Sequence, residues 1–342
     1  MKAILFLIAA ANLLAADTKA AAEAEQGLSL AREGKYESAI RHYRAAIALD
    51  PHLSGIDLNL GLAYFKLGRF PEAAASFERA TKTEPANFQA RVLLGMSYFG
   101  CRRFDDAAVH FKIASGQQPD NMELRYKLAQ CYLQAKRYPD AIAEFRSLLE
   151  RDPNSGAVHM LLGEVLDAAN RQEQAIAEFE AAVKASPKEP EVHFGLGYLY
   201  WKQKRYEEAE REFEAEVANQ PWHSQALAYL GDAEMHAGDH HRAADHLSRA
   251  LKLDPQSRLA HLDYGVVLGT LGDANAAELH LREAIRMAPS LPDAHYQLAR
   301  LLRSVGRQQD AQAEFAKVKE LGEEQPQPPL LAVPGRSTGP KQ

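Results

Sequence analysis

Small and apolar side chains recur along this chain on a ruler of 34 residues. The stretch from Ile56 to Pro85 reads IDLNLGLAYFKLGRFPEAAASFERATKTEP. Leu60, Gly61 and Tyr64 share one face of a first helical segment, and Ala73, Phe77 and Ala80 share one face of a second. Pro85 closes the unit, and Pro51, Pro119, Pro153, Pro187, Pro221, Pro255 and Pro289 stand at the same interval. Counted from 31 residues before each proline, the units run 20–53, 54–87, 88–121, 122–155, 156–189, 190–223, 224–257, 258–291 and 292–323. In the ninth, Glu323 takes the place of the proline. The pattern predicts two antiparallel helices per unit, nine units in tandem and no strand.

Fixed offsets within the unit carry the packing. The eighth position is Gly27, Gly61, Gly95, Gly163, Gly197, Gly231 and Gly265, with Ala129 and Ala299 in the other two units. The twentieth is alanine in all nine, from Ala39 to Ala311. Helices that cross at close range leave room there for little more than a methyl. The twenty-fourth is large: Tyr43, Phe77, Phe111, Phe145, Phe179, Phe213, Leu247, Leu281 and Phe315. Gly34, Gly68, Gly238, Gly272 and Gly306, with Asn170, are predicted to end first helices in the left-handed conformation. Pro71 and Pro139 are predicted to open second helices, and Pro190 and Pro292 first helices.

The period and these offsets resemble the tetratricopeptide repeat. The resemblance spans nearly all of the chain and implies an all-α fold: a right-handed superhelical solenoid of tandem helix-turn-helix repeats, with first helices lining a concave face. The family's tryptophan near the fourth position is absent, and His159, His193, His261 and His295 stand there as a structural ladder. The family's groove positions, carried onto this chain, select Leu62, Phe65, Met96, Phe99, Tyr126, Phe194, Tyr198, Trp201, Tyr229, Met235 and Tyr296 as a partner-binding groove, together with Leu58, Val92 and Met160. Aromatic and methionine side chains offer large contact area at low entropic cost and suit an extended protein segment. Some of these side chains would instead pack between neighbouring first helices. Glu164, Asp167 and Asp232 are acidic groove positions that would meet a basic partner or solvent. The lysine–asparagine clamp of one subclass, which grips C-terminal carboxylates, is missing: the fifth position is never lysine and the ninth never asparagine.

Composition narrows the function. The net charge is −6 and no run of five or more basic residues occurs, so nucleic acid is not an expected partner. Residues 1–16, MKAILFLIAAANLLAA, have the charged start, apolar middle and small-residue end of a signal peptide. Export is expected, to a bacterial periplasm or else as a secreted protein, without membrane insertion once the leader is removed. Residues 17–19 form a short leader before the repeats, and 324–342 a disordered tail rich in proline. Cys101 and Cys131 fall on neighbouring first helices and would permit a disulfide in an oxidising compartment. His236, Asp239, His240, His241, Asp245 and His246 crowd one short stretch, with His236, His240 and His241 as weak metal-ligand candidates. Gly238 breaks the helix between them, so an exposed polar turn is expected and no metal. Once the repeat positions are subtracted, no nucleophile–base pair, phosphate-binding loop or segment for a catalytic domain remains. The expectation is a non-enzymatic scaffold or adaptor without cofactor, holding an extended segment of a partner within an envelope assembly, secretion or polysaccharide-export system. A metal or small-molecule carrier, and self-association through the solenoid ends, are the alternatives.

Overall fold

The computed structural model describes residues 19–324, all of whose regular structure is α-helical. The leader and most of the C-terminal tail lie outside the described residues. Two compact units divide at Pro153. The first holds α1 (Lys19–Arg32), α2 (Tyr36–Leu49), α3 (Ile56–Lys66), α4 (Phe70–Thr83), α5 (Phe88–Gly100), α6 (Phe104–Gln117), α7 (Met122–Gln134) and α8 (Tyr138–Leu149). The second holds α9 (Gly156–Ala168), α10 (Gln172–Ala185), α11 (Val192–Lys202), α12 (Tyr206–Asn219), α13 (Ser224–Ala237), α14 (His240–Leu253), α15 (Arg258–Leu271), α16 (Ala274–Met287), α17 (Pro292–Ser304) and α18 (Gln308–Glu324).

Within each unit every helix packs on the one before it and the one after it, so odd-numbered first helices form one layer and even-numbered second helices the other. Each pair buries too little apolar surface to stand alone, and the stack supplies the core. The alanines of the twentieth position are buried from Ala39 to Ala311. The large side chains of the twenty-fourth position, from Tyr43 to Leu281, are buried against them. Among the described residues no helix is long and apolar enough to cross a membrane.

The turn inside each pair is stereotyped. Its left-handed residue is Gly34, Gly68, Gly238, Gly272 or Gly306 in five pairs, and Arg102, Lys136, Asn170 or Lys204 in the other four, the latter with φ near 59°. The next residue is arginine in most pairs. Arg69, Arg103, Arg137 and Arg205 each bond a carboxylate three residues on and lie over the ring of Tyr64, Tyr98, Tyr132 and Tyr200. Where aspartate replaces this arginine, at Asp239 and Asp273, the carboxylate caps the second helix by accepting from the backbone N–H groups of Arg242 and Ala276.

Pro71, Pro139 and Pro292 open their helices as expected, but Pro190 does not. Helix α11 begins two residues later, at Val192, because Glu191 takes a left-handed turn with φ 70°. The buried carboxylate of Glu216 on α12 then caps the helix, accepting from the N–H groups of Glu191 at 3.1 Å and Phe194 at 3.2 Å.

Candidate functional site

The cap at α11 orients the start of an aromatic cluster on the first-helix layer of the second unit. Phe194 stacks on Tyr198 with centroids 6.4 Å apart, and Tyr198 stacks on Trp201 at 5.9 Å. Tyr229 on α13 meets all three edge-on, at 5.8, 5.6 and 5.0 Å. Phe213 on α12 backs the cluster behind Phe194 and Tyr229. Phe194, Tyr198 and Trp201 are half-buried and keep ring surface open. Tyr229, expected in the groove, is buried, and its hydroxyl pKa is pushed well up, chiefly by that burial. It is the floor of the cluster. His223, buried beneath Phe194, donates from Nε2 to Glu191 while its Nδ1 accepts from Ala226, so the turn ahead of α13 is satisfied.

Carboxylates border this cluster. Asp167 pairs with Lys202 at 2.6 Å, and Asp293 pairs with Arg258. Asp232, expected to face solvent or a partner, is instead buried at 4% exposure and accepts the indole N–H of Trp201. Asp263 on α15 is equally buried at 4%, and its Oδ2 has no hydrogen-bond partner. Burial pushes both carboxyls above the usual carboxylate range, and the charge of Asp232 raises Asp263 further. Asp263 is not among the groove residues selected from the repeat pattern. Its signal is a charge in a column that the rest of the second unit fills with Leu161, Gly195, Tyr229 and Gln297.

The other groove positions stand separately. In the first unit Leu62 and Met96 are half-buried, and Phe65 and Phe99 pack edge-on against Phe70 and Phe104 at 5.5 and 5.3 Å, rings of their own repeats. Tyr126 packs on Phe145. In the second unit Met235 packs against the core around Leu247, and Tyr296, the most exposed of the set, meets Phe315 and Arg300.

The histidine ladder belongs to a column of polar pairs inside the repeats. Position four of the first helix faces position twenty-three of the second: Glu23 with His42, Arg125 with Glu144, His159 with Glu178, His193 with Glu212 and His295 with Glu314, at 2.6–3.3 Å. In these five repeats the partners exchange sides while the pairing persists. Repeats two, three and seven lack the pair, and repeat eight sets two histidines against each other, His261 Nδ1 2.9 Å from His280 Nδ1.

His236, His240 and His241 do not converge. His236 stacks on Tyr206 at 4.3 Å and bonds the Asp232 carbonyl, while His241 is exposed. Among the described residues the group close enough to hold an ion is Glu210, Glu214 and Glu234. There the guanidinium of Arg242 already pairs with all three carboxylates. Cys101 and Cys131 are free thiols, so the disulfide weighed from the sequence is not formed. Cys131 is buried, which pushes its thiol up to about 12.

Comparison with known proteins agrees with this architecture. Two sequence families, both described as tetratricopeptide repeat, match the chain: one over residues 24–88, 58–108, 160–221 and 194–258, the other over 98–165. No curated protein matches. Among solved structures, a tetratricopeptide repeat protein from Parabacteroides merdae is 16% identical, with a TM-score of 0.52 over 72% of this chain and 97% of its own. The C-terminal part of a repeat-containing protein from Cytophaga hutchinsonii is 15% identical, with a TM-score of 0.53 over 68% and 95%. The Cut9–Hcn1 hetero-tetramer of the APC/C is 15% identical, with a TM-score of 0.51 over 83% and 56%. At these identities the likeness is one of fold.

Proposed function

Because the chain belongs to the tetratricopeptide repeat family, we propose that it is a non-enzymatic protein–protein interaction scaffold, exported through its leader to a bacterial periplasm. It holds an extended segment of a partner protein on the first-helix layer of its second unit, within an envelope assembly or export system. The observation that carries this reading is the half-open aromatic cluster of Phe194, Tyr198 and Trp201, laid over buried Tyr229. Rings held rigid by one another lose little entropy when a segment covers them. Such clusters dominate binding energy at interfaces.

The test is capture from envelope extract by the full mature chain, beside a Tyr198→Ala/Trp201→Ala variant. Tyr229 is left intact because it supports the fold. A partner held by the parent and lost from the variant, with helicity by circular dichroism unchanged, supports the groove. A partner held equally by both moves the binding surface elsewhere. The N-terminal sequence of the secreted protein tests the leader: cleavage after Ala16 is expected, and an intact Met1 would overturn it.

A further inference from the structure

The aspartates Asp167, Asp232, Asp263 and Asp293 lie on first helices of the second unit, and they are not equivalent. The outer two have cations of their own: Lys202 for Asp167 and Arg258 for Asp293. The inner two do not. Among the described residues no lysine or arginine forms an ion pair with Asp232 or Asp263. The imidazole of His236 lies 3.5 Å from Asp232, and the charge of Arg258, already paired with Asp293, bears on Asp263 without forming an ion pair with it. Both inner carboxylates are nine-tenths buried or more, and Asp263 Oδ2 has no partner. Helices α13 and α15, which carry them, pack directly on each other.

A buried carboxylate without a partner is costly, because its water has been removed and nothing replaces it. Among the described residues the buried carboxylate oxygens without a hydrogen-bond partner are Glu234 Oε1 and Asp263 Oδ2; Arg242 stands 2.9 Å from the first, whereas Asp263 forms no ion pair. It adjoins the aromatic cluster, since Asp232 holds the Trp201 indole and both carboxylates bear on the Tyr229 hydroxyl. Electron-rich ring faces beside unpaired carboxylates are the chemistry that receives an organic cation.

We propose that Asp232 and Asp263 are the seat of a subsite for a basic side chain, an arginine guanidinium or lysine ammonium, projecting from the segment bound on the aromatic cluster. The proposal rests on the groove reading above and adds the chemistry of one fixed position in the partner. The aromatic rings take the apolar part of the segment, and the cation supplies the charge that the seat lacks.

The test selects random dodecapeptides displayed on phage against the immobilised mature chain. The expected selection enriches peptides with an arginine or lysine at a fixed place beside an aromatic or aliphatic residue. Citrulline or norleucine in place of that residue weakens binding by about tenfold or more, the loss expected for a charged hydrogen-bonding group. Asp232→Asn and Asp263→Asn each abolish the preference for the basic peptide and leave the citrulline peptide unaffected. An Asp105→Asn/Asp120→Asn control, which removes two exposed charges, keeps the preference and so separates the seat from the acidic surface at large. Enriched peptides without a fixed basic residue, or a preference that survives Asp263→Asn, overturn the subsite and leave the groove standing. Failure to enrich any peptide overturns the groove and the subsite with it. Thermal unfolding gives an independent readout: Asp263→Asn raises the melting temperature if the carboxylate is unpartnered, and a lowered one overturns the assignment.

Discussion

Replacing Gly163 by alanine tests the packing logic at its tightest point. Phe179 of α10 is held at both edges. A Cβ at Gly163 on α9 would stand 2.6 and 2.7 Å from Cδ2 and Cε2 of the ring. A Cβ at Gly195 on α11 would meet the opposite edge, closer still at Cε1 and 3.0 Å from Cδ1. The ring cannot retreat from one helix without striking the other. Overpacking of a closed core costs about 1–3 kcal/mol, and glycine to alanine in a helix returns about 0.5–1 kcal/mol. Gly163→Ala should therefore destabilise by about 1–2 kcal/mol, and Gly195→Ala by at least as much. Two controls fix the scale. At Gly95 the added Cβ would lie 3.2–3.3 Å from Phe111, a contact that a small tilt of the ring relieves, so Gly95→Ala should change stability by less than about 1 kcal/mol. At Gly116 on α6 nothing lies within 4 Å, so Gly116→Ala should stabilise by about 0.5–1 kcal/mol. Urea unfolding followed by circular dichroism measures all four. Equal costs at Gly163 and Gly95, or a stabilised Gly195→Ala, would refute the two-edged clamp.

The polar column gives pH tests. The hydrogen bond to Glu212 raises the pKa of His193, so that pair's contribution is complete below the unfolded histidine value near 6.5 and is lost as pH rises through the raised folded value. Glu212→Gln should therefore cost more stability at pH 6 than at pH 9, and an equal cost at both counts against the pairing. His280 behaves oppositely: burial, then the neighbouring His261, lowers its pKa despite Glu283 nearby. Its contribution is present above about 6.5 and is lost as pH falls through the lowered folded value. His280→Glu would restore the His–Glu pairing of repeats five, six and nine and should raise the melting temperature at pH 5.5; no rise there would mean that the column is not interchangeable between repeats. Glu216→Ala strips the cap from α11 and leaves the N–H groups of Glu191 and Phe194 without acceptors, a loss of roughly 2–4 kcal/mol in denaturant unfolding. A cost below about 1 kcal/mol would show that water replaces the carboxylate.

The sequence determined the helices, their turns and the alternation of small and large residues, because each depends on positions a few residues apart. Alanine at position twenty and the ring at position twenty-four are legible for that reason. So is the left-handed turn, although Arg102, Lys136 and Lys204 adopt it without the glycine that announces it. Pro190 misled because the start of α11 is set by Glu216, which lies 22 residues beyond Phe194. Glu216 was nonetheless visible as a break in the column of Ala46, Ala80, Ala114, Ala182, Ala250 and Ala284. The histidine ladder could be seen, but its acidic partners lie 19 residues on, across a helix pair whose facing register only packing fixes.

The candidate site divides the same way. That Phe194, Tyr198 and Trp201 share a face follows from helical spacing within one segment. That Tyr229 lies beneath them, that Asp232 takes the Trp201 indole from 31 residues away and that Asp263 is closed off without a partner follow from how α11, α13 and α15 pack. Periodicity places a side chain on a face; the neighbouring helices decide how much water it keeps, and that water sets whether a carboxylate is an ordinary surface charge or one in want of a cation.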